Sequence, residues 1–480
     1  MQRKFVGNLL FVLFLNLLIK PFWILGIDVA VQNRVGAEDY GLYNSIFGFS
    51  ILLNIVLDFG ITNYNNRNIA QHNHMLKRYF SGIFNVKLIL GLIYFLVTLL
   101  FGLIIGYGEK AIKLLFILAI NQFLASMILY LRSNISGLHL FKLEGLLSIL
   151  DRTLMILICG TLIWGGIAEQ SFQIEWFVYA QFVSYSLTAF VAFLVVLSKA
   201  KFFKIKFDWI VFRLIIKQSL PFALLVLLMS FYYRLDAVMI ERLLPDGKYQ
   251  TGVYAQAYRL LEGFNMFGYL FAGLLLPIFS RMIKEKQAVS GLVRTAFNLI
   301  FIPACAVATV SLIHPQSIMD LLYWENVEES AKVYEVLMLS FVAIALTYIY
   351  GTLLTANGNL RALNKISLVG LLINFGLNWT LIPNYGAFGA AVATLITQCV
   401  IILLQIMTVK KEFQIGYSST FIIKASLLAL LGLGFAALSR DWLDSFILHI
   451  LLVFVVFGAL TFLLGLIKIS EIRQIIKQRS

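Results

Sequence analysis

Hydrophobic residues in this 480-residue chain are grouped into long, nearly uninterrupted runs that short polar segments separate. Clear examples are residues 112–131, 423–438 and 447–466. There are about fourteen such runs, and each is long enough as a helix to cross the ~30 Å hydrocarbon layer of a bilayer. Backbone amides in lipid must be satisfied within their own segment, so these runs predict spanning helices. The predicted fold class is therefore an all-α polytopic membrane protein.

Composition strengthens this prediction. Hydrophobic residues make up 60% of the chain and charged residues 13%, and the mean hydropathy is +0.88. These values exclude a soluble multidomain protein. The net charge of +14 would suggest nucleic acid in a soluble protein. Here the basic residues cluster at alternate ends of the apolar runs, so they indicate topology and no nucleic-acid partner.

The distribution of basic residues predicts which side of the membrane each loop occupies. Roughly 27 of the 38 lysines and arginines fall on the side of Arg3 and Lys4, and about 7 fall on the other side. Both termini are therefore predicted to be cytoplasmic, with an even number of spans. The first apolar run follows two basic residues but lacks a small-residue cleavage site, so we expect it to be retained as the first span.

The chain divides into two similar halves around a basic connector. We predict an N-terminal lobe at residues 1–198, the connector at 199–218 and a C-terminal lobe at 219–409, each lobe with about six helices. Residues 410–480 add two helices and a basic amphipathic tail. Lysines and arginines alternate with aromatic residues in the connector, which is typical of a helix on anionic inner-leaflet lipids. An ordinary positive-inside loop is the alternative interpretation.

Two short sequence matches support the duplication. Lys20-Pro21-Phe22 is followed by Tyr40-Gly41-Leu42-Tyr43 in the first half, whereas Leu220-Pro221-Phe222 is followed by Thr251-Gly252-Val253-Tyr254 in the second. A polar loop is expected between the paired helices of each copy, and the second loop, residues 243–250, is expected to be longer. Duplicated bundles related by a pseudo-two-fold axis are typical of alternating-access transporters.

Four cations inside the predicted spans form the predicted substrate-binding site: Lys20, Lys87, Arg234 and Arg259. A charge near the bilayer centre costs about 2.5–3.5 kcal/mol, so each needs a reason to be there. Pro21 disrupts the helix next to Lys20 and is expected to direct its ammonium into an aqueous cavity. Arginine suits bidentate contact with a phosphate group and lysine a point-charge contact.

Each of these cations also has an interpretation that involves no substrate. Arg259 and Glu262 lie three residues apart on one helix, so they can neutralise each other as a structural ion pair. Lys20 and Lys87 lie near the inner ends of their helices, from which long side chains reach the membrane interface. The sequence leaves both interpretations open.

Carboxylates and tyrosines supply the other candidate site residues. Asp28, Asp58 and Asp236 are candidates for carrying a coupling proton or sodium ion, and Asp58 has helix-end packing as its alternative. The candidate sugar-contacting aromatics are Tyr232, Tyr233, Tyr254 and Tyr258. Aromatic belts and bundle packing are the alternative for each tyrosine. No cofactor is predicted beyond coupling to an ion gradient.

Motifs of familiar enzymes do not occur in the sequence. There is no Walker-type loop, no His-Glu-x-x-His pair and no Gly-x-Ser-x-Gly elbow, so we predict that the protein is not an enzyme. The three cysteines, Cys159, Cys305 and Cys399, are far apart in apolar runs. They predict neither a disulfide framework nor a metal site.

Two segments carry a family resemblance. Residues 34–43 (RVGAEDYGLY), followed by Asp58-Phe59-Gly60 and Arg67, resemble the opening of bacterial polysaccharide flippases. Residues 381–394 (LIPNYGAFGAAVAT) are similar to the junction of helices 11 and 12 in that group. The layout of the whole chain resembles Wzx-type O-antigen or capsule flippases, within the multidrug/oligosaccharidyl-lipid/polysaccharide exporter superfamily.

The resemblance implies a multi-pass protein of the bacterial cytoplasmic membrane. Its expected activity is to move a polyprenyl-pyrophosphate-linked oligosaccharide, such as an O-antigen or capsule repeat unit, from the cytoplasmic to the periplasmic leaflet. Expected partners are that lipid-linked oligosaccharide, a polysaccharide polymerase and glycosyltransferases. The alternatives are a drug or organic-cation antiporter of the same superfamily, a membrane-embedded polysaccharide polymerase or ligase, or a flippase for a peptidoglycan precursor.

Overall fold

The computed structural model describes residues 15–16, 18–62, 65–66, 69, 76–138, 140–165, 172–201, 209–416 and 418–466. These residues are almost entirely helical, and they contain no β-strand. The predicted all-α class is confirmed. The predicted basic tail and part of the connector, residues 202–208, lie outside the described residues.

The described helices follow one another along the chain with short connections. A π-helical stretch at Trp23–Asp28 leads directly into α1. The helices are α1 (Val29–Leu52), α2 (Ile55–Asp58), α3 (Leu76–Ile104), α4 (Glu109–Gly137), α5 (Phe141–Trp164), α6 (Ile174–Ala200), α7 (Trp209–Leu243), α8 (Gly247–Lys284), α9 (Ser290–Ile313), α10 (Pro315–Leu322), α11 (Val327–Ala356), α12 (Leu360–Phe413), α13 (Ser419–Leu438) and α14 (Phe446–Leu463).

Ten of the described helices are long and apolar enough to cross a membrane. Large apolar side chains stay exposed along several of them, for example Leu103, Leu372 and Leu463. Lipid is as apolar as these side chains, so such exposure is expected in a bilayer. The protein is therefore a multi-pass membrane protein, and the total of about fourteen spans stays a prediction.

Glycines with positive φ kink two helices. Gly36 has φ 79° inside α1, and Gly386 has φ 58° inside the 54-residue α12. Residues that carry a side chain rarely adopt a positive φ. Glycine adopts it readily, so the chain can turn at these positions without a loop. The polar loop predicted between the first two spans is consequently wrong, because residues 37–40 are already helical. The second predicted loop is also shorter than expected, since α7 ends at Leu243 and α8 begins at Gly247.

The chain forms two compact units. The first comprises Met1–Gln256 with Asn378–Gly386, and the second comprises Ala257–Leu377 with Ala387–Ser480. These units are defined by internal contacts and not by the sequence repeat, so the four predicted segments, 1–198, 199–218, 219–409 and 410–480, stay predictions. The core of the first unit is rich in aromatic residues, including a stacked pair of Trp23 and Phe177.

The two copies of the repeated motif meet inside the first unit. A Cβ atom added to Gly41 would lie 1.8 Å from the carbonyl oxygen of Lys248, and one added to Gly252 would lie 2.0 Å from that of Ala37. Lys248 lies one helical turn before Gly252, and Ala37 lies one turn before Gly41. Each glycine therefore packs against the backbone turn that leads to the other glycine. Only residues without a side chain permit this approach, so α1 and α8 cross in backbone contact.

A buried histidine pair ties α14 to the end of α9 in the second unit. The Ser439 hydroxyl donates to the Phe435 carbonyl, so it accepts from His449 Nε2 at 2.9 Å. His449 Nδ1 is then the acceptor for His314 Nε2 at 2.7 Å. Burial, with His449 and Arg440 nearby, lowers the pKa of His314. The neutral imidazole that results fits this bonding pattern.

Candidate functional site

A cluster of charged side chains surrounds Lys20 in the first unit. Residues 15–16 and 18–22, which precede the π-helical stretch, are helical. A buried hydrogen bond fixes this segment against α5, with Asn16 Nδ2 donating to Ser148 Oγ at 3.1 Å. This contact places Lys20 within electrostatic range of four charges: Arg132, Arg152, Asp151 and Glu144. They lie on the consecutive helices α4 and α5, so the site joins Lys20 to two helices much later in the chain.

Two of the cations in this cluster have carboxylate neighbours. Arg132 donates to Glu144 Oε1 through Nη2 at 2.5 Å and through Nε at 3.2 Å. Arg152 lies less close to its sequence neighbour Asp151, with 3.8 Å between Nε and Oδ2. The first contact is a close ion pair across two helices, whereas the second leaves the donors of Arg152 only loosely engaged.

Aromatic rings flank the Arg152 guanidinium. Its Cζ atom lies 5.2 Å from the centre of the Trp23 ring and 6.0 Å from that of Tyr185. Both rings are largely buried, and cations over such faces gain favourable electrostatic energy. The Tyr185 hydroxyl also forms a hydrogen bond with Arg152, so the two aromatic side chains hold the guanidinium in place.

The charge balance of the cluster favours an anion. It contains three cations and two carboxylates. Lys20 makes no hydrogen bond or ion pair with any described residue, and it is only partly buried. An ammonium without a bonded partner in the described part of the chain, with a guanidinium nearby, is suited to the oxygens of a phosphate group.

Sequence reasoning found Lys20 but missed its neighbours. Arg132, Glu144, Asp151 and Arg152 also lie inside apolar candidate spans. The criterion that selected Lys20, a charge within a spanning run, applies equally to them. Asp151-Arg152 is close to the centre of the span at Lys142–Trp164, so the signal was present in the sequence.

Lys87 has a complete set of partners of its own. Its ammonium donates to the Leu57 carbonyl at 3.0 Å, to Asp58 Oδ1 at 2.6 Å and to Ser126 Oγ at 2.6 Å. The side chain is 1% exposed. These bonds use all three donors, so none is left for a ligand in this conformation. The geometry favours a structural role, and substrate contact by Lys87 stays a prediction.

Asp28 and Asp236 are buried carboxylates that accept hydrogen bonds from uncharged donors. Tyr40 donates to both oxygens of Asp28 at 2.9 Å, and Gln32 donates to Oδ2 at 3.1 Å. Tyr254 donates to Asp236 Oδ2 at 2.8 Å, and Asn378 donates to Oδ1 at 2.6 Å.

The remaining predicted residues lie in both units. In the first unit the Arg234 guanidinium is 5.6 Å from the centre of the Phe47 ring. Tyr254 is 2% exposed, which favours its bond with Asp236 over contact with a sugar. In the second unit Arg259 pairs with Glu262 one turn away. Tyr233 and Tyr258 are partly buried, and the side chain of Tyr232 lies outside those described.

No group of three or more metal-ligating side chains occurs among the described residues. The cysteines within them are unpaired with one another.

Comparison with known proteins places these features in a family. The polysaccharide biosynthesis protein family matches residues 6–283. The capsular polysaccharide biosynthesis protein CapF of Staphylococcus aureus is 28% identical over 196 residues, which are 40% of this chain and 48% of CapF. The chain therefore spans about half of the length of that curated relative.

Solved structures show the same fold over most of the chain. The lipid II flippase MurJ in an inward closed conformation has a TM-score of 0.71 at 16% identity, covering 96% of this chain and 98% of MurJ. An inward-facing multidrug resistance transporter of the MATE family has a TM-score of 0.65 at 15% identity, covering 82% of this chain and 94% of that one.

The fold of this membrane protein is thus the one seen in these flippase and transporter structures, and the family model matches more than half of the chain. The chain belongs to the polysaccharide biosynthesis protein family. The resemblance seen in the sequence is thus confirmed.

Proposed function

We propose that this protein moves a polyprenyl-pyrophosphate-linked oligosaccharide from the cytoplasmic to the periplasmic leaflet of a bacterial membrane by alternating access. The observation that supports this most is the Lys20 cluster, whose three cations exceed its two carboxylates. A pyrophosphate carries the negative charge that such a cluster attracts, and the family works in polysaccharide biosynthesis. An O-antigen or capsule repeat unit is the proposed cargo.

Lys20 and Arg152 are the proposed pyrophosphate contacts. Lys20 has no bonded partner among the residues that the structure describes, and Arg152 offers a planar fork that its aromatic neighbours orient. Trp23 and Tyr185 present ring faces beside the guanidinium, and such faces can also stack on sugars. Arg234 stays in the proposed site as a further cation in the first unit.

Asp28 and Asp236 are the proposed coupling carboxylates for a proton or sodium gradient. Both are buried, and each accepts a hydrogen bond from a tyrosine hydroxyl. A carboxylate in such surroundings changes its charge or captures a cation when solvent access changes. Asp58 is less suited, because the ammonium of Lys87 already neutralises it. The polymerase and glycosyltransferases that act on the same lipid-linked sugars are the proposed partners.

A drug or organic-cation antiporter is the second candidate, since the MATE fold is shared over 82% of the chain. Such a protein would bind cations through Asp28 and Asp236. The excess of positive charge around Lys20 favours the anionic cargo instead.

Surface-polysaccharide export measured in cells that depend on this protein tests the proposal. Lys20→Ala and Arg152→Ala should each reduce export by roughly 30- to 100-fold, as expected when a charge-assisted hydrogen bond worth about 2–3 kcal/mol is lost. Arg152→Lys should restore only part of it, because the bidentate contact is gone. Protein abundance in the membrane should not change.

Lys113→Ala is the matched control, since this ammonium is 73% exposed and pairs only with Glu109. It should export normally. Full export by both Lys20→Ala and Arg152→Ala would contradict the proposed site. Efflux of a cationic dye that requires Asp28 or Asp236 and not Lys20 would instead support the antiporter.

A further inference from the structure

A second basic pocket lies far along the chain from Lys20, in the second unit. The kink at Gly386 brings the two ends of α12 together, because Asn359 Nδ2 donates to Glu412 Oε1 at 3.0 Å. A cavity of about 470 Å³ opens between these ends. Its walls carry Arg361 and Lys365 from the start of α12 and Lys411 from its end.

The pocket carries excess positive charge. Arg361, Lys365 and Lys411 are all exposed, and none of them forms an ion pair with a described residue. Glu412 is the single acidic side chain in the wall, and the amide of Asn359 occupies one of its oxygens. With three cations and one carboxylate, the wall has an excess of positive charge that a bound anion would neutralise.

The start of α12 adds to this field. The Asn359 side chain caps the helix by accepting from the Ala362 amide at 3.2 Å. The first turn of a helix carries a partial positive charge, which here adds to the field of the three side chains. The cap fixes the direction of the first turn, so the positive end faces the same cavity that the side chains line.

Exposed apolar side chains continue each basic strip toward the middle of the helices. On the first half of α12, Arg361 and Lys365 are followed on the same helical face by Leu368 and Leu372, both exposed. On the second half, exposed Met407 and Leu403 lie one and two turns before Lys411. A charged end followed by apolar turns on the same face matches a molecule with an anionic head and hydrocarbon chains.

We propose that this pocket binds an anionic phospholipid of the surrounding bilayer. The lipid phosphate contacts Arg361, Lys365 and Lys411, and the acyl chains lie along Leu368, Leu372, Leu403 and Met407. Lys410 and Lys411 belong to the basic set expected on the cytoplasmic side, so the lipid comes from that leaflet. This site is separate from the connector at residues 199–218 and from the Lys20 cluster, and it does not depend on the transported cargo.

Native mass spectrometry of the full chain in detergent, titrated with phosphatidylglycerol, measures this binding. One lysine or arginine near a membrane surface is worth about 1 kcal/mol toward an anionic lipid, or about fivefold in affinity. Arg361→Gln, Lys365→Gln and Lys411→Gln should each weaken the tightest binding event about fivefold, and the triple variant roughly a hundredfold. Phosphatidylcholine should bind the wild-type protein more weakly than phosphatidylglycerol does.

Lys410→Gln is the matched control, because Lys410 is exposed on the adjacent position but does not line the pocket. It should bind phosphatidylglycerol like the wild type. Leu372→Asn should weaken lipid binding while leaving the basic wall intact. This variant tests the proposal if the triple variant is not stable. Equal binding by wild type and all pocket variants, or equal affinity for phosphatidylcholine, would overturn the proposal. Full displacement of the lipid by millimolar inorganic phosphate would assign the pocket to a soluble anion and overturn it as well.

Discussion

Whether a charged side chain inside this protein is available to a ligand depends on how many of its donors are already occupied. Lys20 and Lys87 are both lysines in apolar helices, and the sequence treats them alike. Lys87 has its three donors filled by Leu57, Asp58 and Ser126. Lys20 has neighbouring charges but no bonded partner among the described residues. Only Lys20 therefore retains donors for a phosphate group.

Lys87→Met should destabilise the protein strongly, because it leaves the carboxylate of Asp58 without its cation. Breaking a buried pair from one side costs about 3–5 kcal/mol, and the lower end applies because Asp58 is 29% exposed. Thermal unfolding of the purified protein in detergent measures the loss.

Lys110→Met is the matched control for that experiment. Lys110 also pairs with an aspartate at 2.6 Å, but the two side chains are 50% and 41% exposed. Such a surface pair contributes less than about 1 kcal/mol. The double variant Lys87→Met/Asp58→Asn should recover part of the lost stability. Equal losses of thermal stability in Lys87→Met and Lys110→Met would show that burial does not determine how much each ion pair stabilises the protein.

At the scale of helices, glycines decide where backbones meet and where they bend. Gly41 and Gly252 occupy the same position in the two copies of the repeated motif, and they face each other's helices. Gly36 and Gly386 allow α1 and α12 to turn without a loop. The sequence marks the first pair by its repetition, whereas nothing in it distinguishes a glycine that kinks a helix from one that packs.

Gly41→Ala should open the crossing of α1 and α8. The added methyl would lie 1.8 Å from a backbone oxygen, and a backbone atom cannot rotate away as a side chain can. Overpacking of this kind costs about 1–3 kcal/mol. Thermal unfolding of the purified variant in detergent should show this loss relative to the parent protein.

Gly273→Ala in α8 provides the comparison, because nothing lies within 4 Å of the Cβ atom it would add. Alanine favours a helix over glycine by about 1 kcal/mol, so this variant should match or exceed the parent in thermal stability. The crossing would not depend on Gly41 if both alanine variants unfolded at the same temperature.

At the scale of the whole molecule, the distribution of basic residues fixes the expected orientation. The positive-inside rule places Lys199 and Lys410 in the cytoplasm and Lys248 on the opposite side. All three side chains are exposed. Orientation also sets the leaflet that supplies the proposed phospholipid, so both proposals above use it.

Single cysteines at these positions, in a protein otherwise free of cysteine, test the orientation. An impermeant thiol reagent should label position 248 in intact cells and should label positions 199 and 410 only after the cells are permeabilised. Labelling of position 410 in intact cells would place the lipid pocket on the outer leaflet. Identical labelling at all three positions would contradict the topology.

The sequence by itself determined the class and general plan of this protein. Long apolar runs can be only spanning helices in lipid, because the backbone must satisfy its own hydrogen bonds there. Charges and glycines inside those runs are conspicuous, so Lys20, Lys87 and the two repeated glycines could all be selected before any coordinates were known.

Tertiary structure alone decided which of these residues work together. The bond between Asn16 and Ser148 joins positions 132 residues apart, and Lys87 and Asp58 are 29 apart. Local periodicity specifies which face of a helix is polar, but it does not specify which helix that face will meet. Packing made that choice, because each buried charge requires a partner and the folded bundle determines which one it finds.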